Sequence, residues 1–172
     1  MKKNLQIREI QKSELGKLGH LMVDVYSKLK GFPQSEQPRY YEMLANMGHF
    51  AEKKDVKVLV ASIEGELAGG VVYFGDMAEY GSGGSATNEK NTSGVRFLAV
   101  DESFRNTGVG KALTLFCIDL ARNQKHSQLI LHTTQAMQIA WNLYEKLGFK
   151  RSKDLDFLQE QLPVFGFRLH LS

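Results

Sequence analysis

The sequence predicts an α+β domain in which a mixed, largely antiparallel sheet is flanked by about four helices, in the order β-α-α-β-β-β-α-β-α-β-β. Three observations carry that reading. Apolar residues recur at spacings of three and four in separate stretches, the mark of one-sided helices. Between those stretches lie runs rich in Val and Tyr, such as Val56 to Ile63 and Glu66 to Phe74. Glu64-Gly65 joins these two runs directly, which suits a tight hairpin because Gly tolerates positive φ.

Leu5 to Ile10 alternates apolar and polar residues and opens the fold as a short strand. Ser13 is the expected N-cap of a helix whose apolar face is Leu15, Leu18, Met22, Val25 and Leu29, with Gly31 and Pro33 ending it. A second helix is predicted from Glu36 to Met47, with Tyr40, Leu44 and Met47 on one side. After the hairpin, Gly75 to Asn91 holds four glycines and neither periodicity, so it reads as a long loop that lines a site or is disordered. Ser93 to Val100 is a strand, and Val109, Leu113, Phe116 and Leu120 mark the helix after Gly108. Gln128 to Thr133 is the next strand. Met137, Ala140, Tyr144 and Leu147 mark a last helix with Gly148 at its C′ position, and strands near Phe149 to Lys153 and Val164 to His170 close the chain.

At 172 residues the chain is read as one domain, 1–172. Its hydrophobic fraction of 42% and charged fraction of 24% are those of a globular protein, not of a disordered or fibrous one. A net charge of +3, scattered along the chain, gives no stripe for nucleic acid. MKKNLQIREI lacks the apolar run of a signal peptide, and no segment reaches the roughly 20 apolar residues of a membrane span, so the expected location is the cytoplasm. Cys117 is the lone cysteine, sits in the apolar stretch LFCIDL, and is read as a core residue. The five histidines are dispersed, and no metal site is expected.

The stretch FLAVDESFRNTGVGKAL runs from a strand through a turn into a helix N-terminus at Arg105-Asn106-Thr107-Gly108-Val109-Gly110. The first amides of a helix have no intrahelical acceptor and stand at the positive end of its dipole, which makes an anion site. Gly108 and Gly110 remove side chains from the approach, and Arg105 adds a forked cation. A P-loop would need Gly at 105 and Ser or Thr at 112, and a dinucleotide fingerprint would need Gly at 113; the chain has Arg105, Ala112 and Leu113.

About twenty residues later comes LILHTTQAMQIAWNLYEKLGF. The strand FLAV, Arg105-x-x-Gly108-x-Gly110, a further strand, and then Ala140-x-x-Leu143-Tyr144-Glu145-Lys146-Leu147-Gly148-Phe149 together resemble the GNAT family of N-acetyltransferases. The pair covers Phe97 to Phe149, and the rest of the predicted order is compatible with the GNAT-type fold. The resemblance implies acetyl-CoA as acyl donor, with its pyrophosphate on the amides of Thr107, Gly108, Val109, Gly110, Lys111 and Ala112 beside Arg105 and Asn106. It implies a pantetheine arm along Leu98, Ala99 and Val100, where two amides can pair with a strand edge. The backbone N–H of Val100 is implied as oxyanion donor and Tyr144 as the acid that protonates the departing sulfur. Direct attack by a primary amine in a ternary complex is the implied reaction, and a homodimer is the implied assembly.

Two positions depart from the family pattern. Met137 stands where many members carry a cofactor-bonding Asn, for which Asn142 is a substitute on a different helix face. Ser93-Gly94-Val95-Arg96 stands where many carry a Glu base. His132, Asp76, Glu79, Tyr80 or a water are the remaining candidates for the base. Phe32, Tyr40, Tyr41 and Tyr80 are either an aromatic wall for the acceptor or core, and Asp76 with Glu79 would draw a cationic acceptor. The acceptor's identity is open at this point. The missing Glu also motivates a rival reading, an acyl-CoA-binding module without turnover.

Overall fold

The computed structural model describes residues 4–29 and 37–171. Its backbone contains β1 (Leu5–Glu9), α1 (Leu15–Ser27), α2 (Pro38–Ala45), β2 (Val56–Ile63), β3 (Glu66–Phe74) and β4 (Thr92–Val100). There follow α3 (Val109–Asn123), β5 (Gln128–Thr133), α4 (Gln138–Lys146), β6 (Lys150–Arg151), β7 (Phe157–Gln159) and β8 (Leu162–His170). The strand order is β1-β2-β3-β4-β5-β8-β6, with β7 paired to β8; every pairing is antiparallel except β4 with β5. This is the predicted mixed, largely antiparallel sheet with four helices, plus one strand. The extra strand, β7, has three residues and turns into β8 at Glu160 (φ 57°), with no glycine to announce it.

Alternation along the strands separates two apolar layers. Val56, Val58 and Val60 face α1 and α2 through Leu18, Met22 and Leu44, whereas Leu59, Ala61 and Ile63 face α3 through Leu113 and Cys117. The hairpin turn is as read, with Glu64 at φ 52° and Gly65 at φ 82°, both positive as a two-residue type I′ turn requires. Gly148, at φ 100°, follows α4 in the expected C′ role.

Several local expectations change. Ser13 does not cap α1; it lies inside a 3-10 turn, Lys12–Glu14, fastened by the Glu14 carboxylate, which accepts from the Gln11 N–H at 2.9 Å and pairs with Arg8 at 2.8 Å. The second helix begins at Pro38, whose missing N–H costs nothing in a first turn, and a 3-10 segment, Met47–Glu52, follows it. Gly31, Phe32, Pro33 and Glu36 lie outside the described residues. The strand expected near Phe149 to Lys153 is cut to two residues because Lys153–Leu155 turns inward and buries Leu155. The Gly75 to Asn91 loop is packed: it forms 3-10 turns at Met77–Glu79 and Ala86–Asn88 and buries Met77, Tyr80 and Ala86. Among the described residues no helix is long and apolar enough to cross a membrane.

Candidate active site

The site begins with an irregularity in β4. Gly70 pairs with Ala99 and Val72 with Arg96, so Val71 of β3 faces both Phe97 and Leu98, a β-bulge. Phe97 takes φ 61°, a rare conformation for a bulky residue. The bulge shifts the alternation: Val95 packs on the α3 side, while Phe97 and Ala99 pack on the α1 side. Arg96, opposite Val72, is thereby brought to the same side as Phe97, and its guanidinium carbon lies 4.3 Å from the Phe97 ring centroid.

At the same place the sheet opens. The parallel ladder between β4 and β5 runs only from Thr92–Gln128 to Val95–Leu131, while β4 continues to Val100. Successive N–H groups of a strand point to opposite sides. The Asp101 N–H donates to Ala68 O of β3 at 2.8 Å, so the Val100 N–H points the other way, into the opening. A pocket fills this opening and is lined by Leu98 and Phe97 from β4, Thr133 from β5, and Met137, Ala140 and Tyr144 from the α4 side.

Tyr144 is 4% exposed, and its burial pushes the phenol well above its ordinary pKa, so the ring carries a held proton into the pocket. Tyr144 lines the opening, and the Val100 N–H lies at the end of β4 that borders it.

The α3 N-terminus lies at the end of the turn that follows β4. Gly108 is its N-cap at φ 86°, and a Cβ there would meet nothing within 4 Å, so the amides face open space. Asn106 also takes positive φ, 63°, and Thr107 Oγ1 donates to Phe104 O, which curls the preceding turn. The Ala112 N–H is already bonded to Gly108 O at 3.0 Å, so the first-turn amides without a helical acceptor are those before it, at Val109, Gly110 and Lys111. Arg105 is exposed at the rim and forms no ion pair among the described residues. Asn142 is exposed and does not line the pocket, which Met137 does. Cys117 is fully buried with its thiol pushed up by burial, as a core residue should be.

The candidate bases separate. Asp76 accepts from the Ala78 N–H at 2.9 Å and Glu79 pairs with Lys53 at 3.7 Å; neither lines the pocket. Their expected pull on a cationic acceptor is therefore not exerted from the pocket wall. His132 does line it, but Nε2 lies 2.9 Å from Leu155 O and must carry the proton. Nδ1 then accepts from the Tyr80 hydroxyl at 2.8 Å, and burial pushes the imidazole down to about 4. Tyr40 lines the pocket, while Tyr41 is core and Tyr80 stands behind His132.

Several pocket residues were not singled out for the site from the sequence, Tyr26, Thr134 and Arg96 among them. Tyr26 donates to Leu98 O at 3.2 Å; among the described residues Thr134 Oγ1 is buried with no hydrogen-bond partner, and Arg96 is the one charged residue that lines the pocket. Arg96 alone left a visible signal, a charge in an otherwise apolar strand where the family resemblance calls for Glu.

The chain thus combines a sheet parted between β4 and β5 with a glycine-capped helix N-terminus at the end of the turn that follows β4. The acetyltransferase (GNAT) family model matches residues 20–149, and the chain belongs to that family. A solved GNAT acetyltransferase from Staphylococcus aureus superposes with TM-score 0.73 over 98% of this chain and 99% of that one, at 19% identity. The PaiA N-acetyltransferase of Thermoplasma acidophilum, solved with coenzyme A, superposes with TM-score 0.72 over 98% of this chain and 99% of that one, at 15% identity. N-acetylaspartate synthetase of Danio rerio is 40% identical over 63 residues, which are 37% of this chain and 22% of that protein. The chain spans less than a third of the curated relatives it matches.

Proposed function

We propose that this chain transfers an acetyl group from acetyl-CoA to a primary amine by direct attack in a ternary complex. The observation that carries the reading is the parting of β4 from β5 beyond Val95 and Leu131, which leaves the end of β4 unpaired on that side and a pocket that the buried Tyr144 lines. The amides of Val109, Gly110 and Lys111, with Arg105, would hold the diphosphate, and the open space over Gly108 leaves room for it. Acetyl-CoA would supply the activated acetyl thioester and a thiolate leaving group.

The chain's own contributions follow from its geometry. The Val100 N–H donates to the thioester oxygen as negative charge develops there. The amine nitrogen forms the new bond to the acyl carbon as the carbon–sulfur bond breaks. Tyr144 Oη holds the proton that the sulfur takes, and the amine proton leaves to water. His132, kept neutral and bonded through both nitrogens, orders the wall without taking that proton. The names of the similar proteins, among them N-acetylaspartate synthetase and N-acetyltransferase 8B, support nitrogen as the acceptor atom.

Tyr144→Phe tests the assignment. Free-thiol release from acetyl-CoA across a panel of amines should fall about 10²- to 10⁴-fold in kcat, the usual range for a lost general acid, while acetyl-CoA affinity holds. Unchanged turnover would remove Tyr144 from the mechanism. Acetyl-CoA binding without thiol release from any amine would favour the binding module.

A further inference from the structure

We infer that the acceptor is an amine bearing a carboxylate on the same molecule, and that Arg96 receives that carboxylate; this rests on the acetyl-transfer reading of the same pocket. Arg96 stands on the bulged part of β4 and is mostly withdrawn from solvent. Among the described residues its one hydrogen bond runs from Nη1 to Tyr80 O at 2.8 Å. Two rings stack near it, Phe97 at 4.3 Å and Tyr80 at 5.6 Å from the guanidinium carbon. No carboxylate among the described residues pairs with it, and none lines the pocket.

A guanidinium has five N–H donors in a fork that matches a carboxylate. Taking such a cation out of water is costly unless an anion joins it. Here the described residues supply stacking and one carbonyl, leaving the fork incomplete and Arg96 as the one charge among the described residues that line the pocket. A simple cationic amine would meet repulsion, whereas a zwitterion would present its carboxylate to Arg96 and its nitrogen elsewhere in the pocket. The positive charge also favours the neutral, nucleophilic form of a nearby amine, in a site where no carboxylate base lines the wall. A second buried group points to a polar ligand: Thr134, 3% exposed, lines the same pocket with an unpartnered Oγ1.

The test pairs each amino acid with its decarboxylated amine and with its methyl ester, reading thiol release by wild type, Arg96→Gln and Arg96→Lys. Wild type should favour the free carboxylate by about ten- to a hundredfold in kcat/KM, the range of a charge-assisted bond. Arg96→Gln should abolish that preference mainly by raising KM for the free carboxylates. Arg96→Lys should restore part of it. Binding of the same amino acids, measured by calorimetry with and without coenzyme A, gives a reading independent of turnover. Binding that requires Arg96 supports the inference even where no thiol is released, and the loss is then the transfer reading's alone. Preference for the decarboxylated amines, an equal preference in Arg96→Gln, or no amino-acid binding to a folded wild type would overturn it.

Discussion

The His132 imidazole donates from Nε2 to Leu155 O and accepts at Nδ1 from Tyr80, and burial holds its pKa near 4. An unfolded chain would titrate the same ring near 6.5, so between pH 6.5 and 4 the unfolded state binds a proton that the folded state refuses. Stability is full above that window and falls as pH drops through it, by up to about 3 kcal/mol. Urea midpoints at pH 7 and 4.5 measure the effect. His132→Gln keeps a donor and an acceptor without a titrating group, and should flatten the difference; an equally steep fall in that variant would assign it elsewhere. At this scale the sequence was partly legible. Tyr144 and Gly108 were visible because a motif fixed their spacing. Arg96 was visible only as a letter, since its meaning depends on Phe97 taking φ 61°, and nothing in the side chain of Phe announces such a backbone.

Elements meet where small residues allow them to. Gly19 of α1 lies so close to α2 that a Cβ there would come within 2.0 Å of Ala45 O, a backbone atom that cannot rotate away. Gly19→Ala should therefore lower stability by about 1–3 kcal/mol, read as a lower urea midpoint at unchanged slope. An unchanged midpoint would mean that the two helices slide apart freely. At the α3 N-terminus the consequence is binding: Gly108→Ala strains φ 86° and puts a methyl group into the space over the first amides. Acetyl-CoA affinity should weaken about tenfold, measured by calorimetry, and undiminished affinity would move the diphosphate off this helix end. The hairpin at Glu64-Gly65 was readable because its turn demands residues that declare themselves. Strand β7 was not, because three residues show no periodicity and the turn at Glu160 has none of the usual signals.

Across the whole molecule, two helical layers seal the faces of one sheet, and the sheet departs from regularity at its centre, where β4 bulges and leaves β5. The order of elements was legible because each helix and most strands carry their own pattern. The opening was not, since it arises from pairing that stops at Val95–Leu131. The homodimer implied by the family resemblance predicts sedimentation heavier than 19.4 kDa, and a single species at that mass would contradict it. The central claim is acetyl transfer to an amine in this opening. The direct measurement is mass analysis of the acceptor after incubation of the full chain with acetyl-CoA and the amino-acid panel. The account predicts an N-acetylated amino acid whose formation matches thiol release and disappears in Tyr144→Phe. Thiol release with no acetylated acceptor, or an acetyl group found on oxygen, would contradict it.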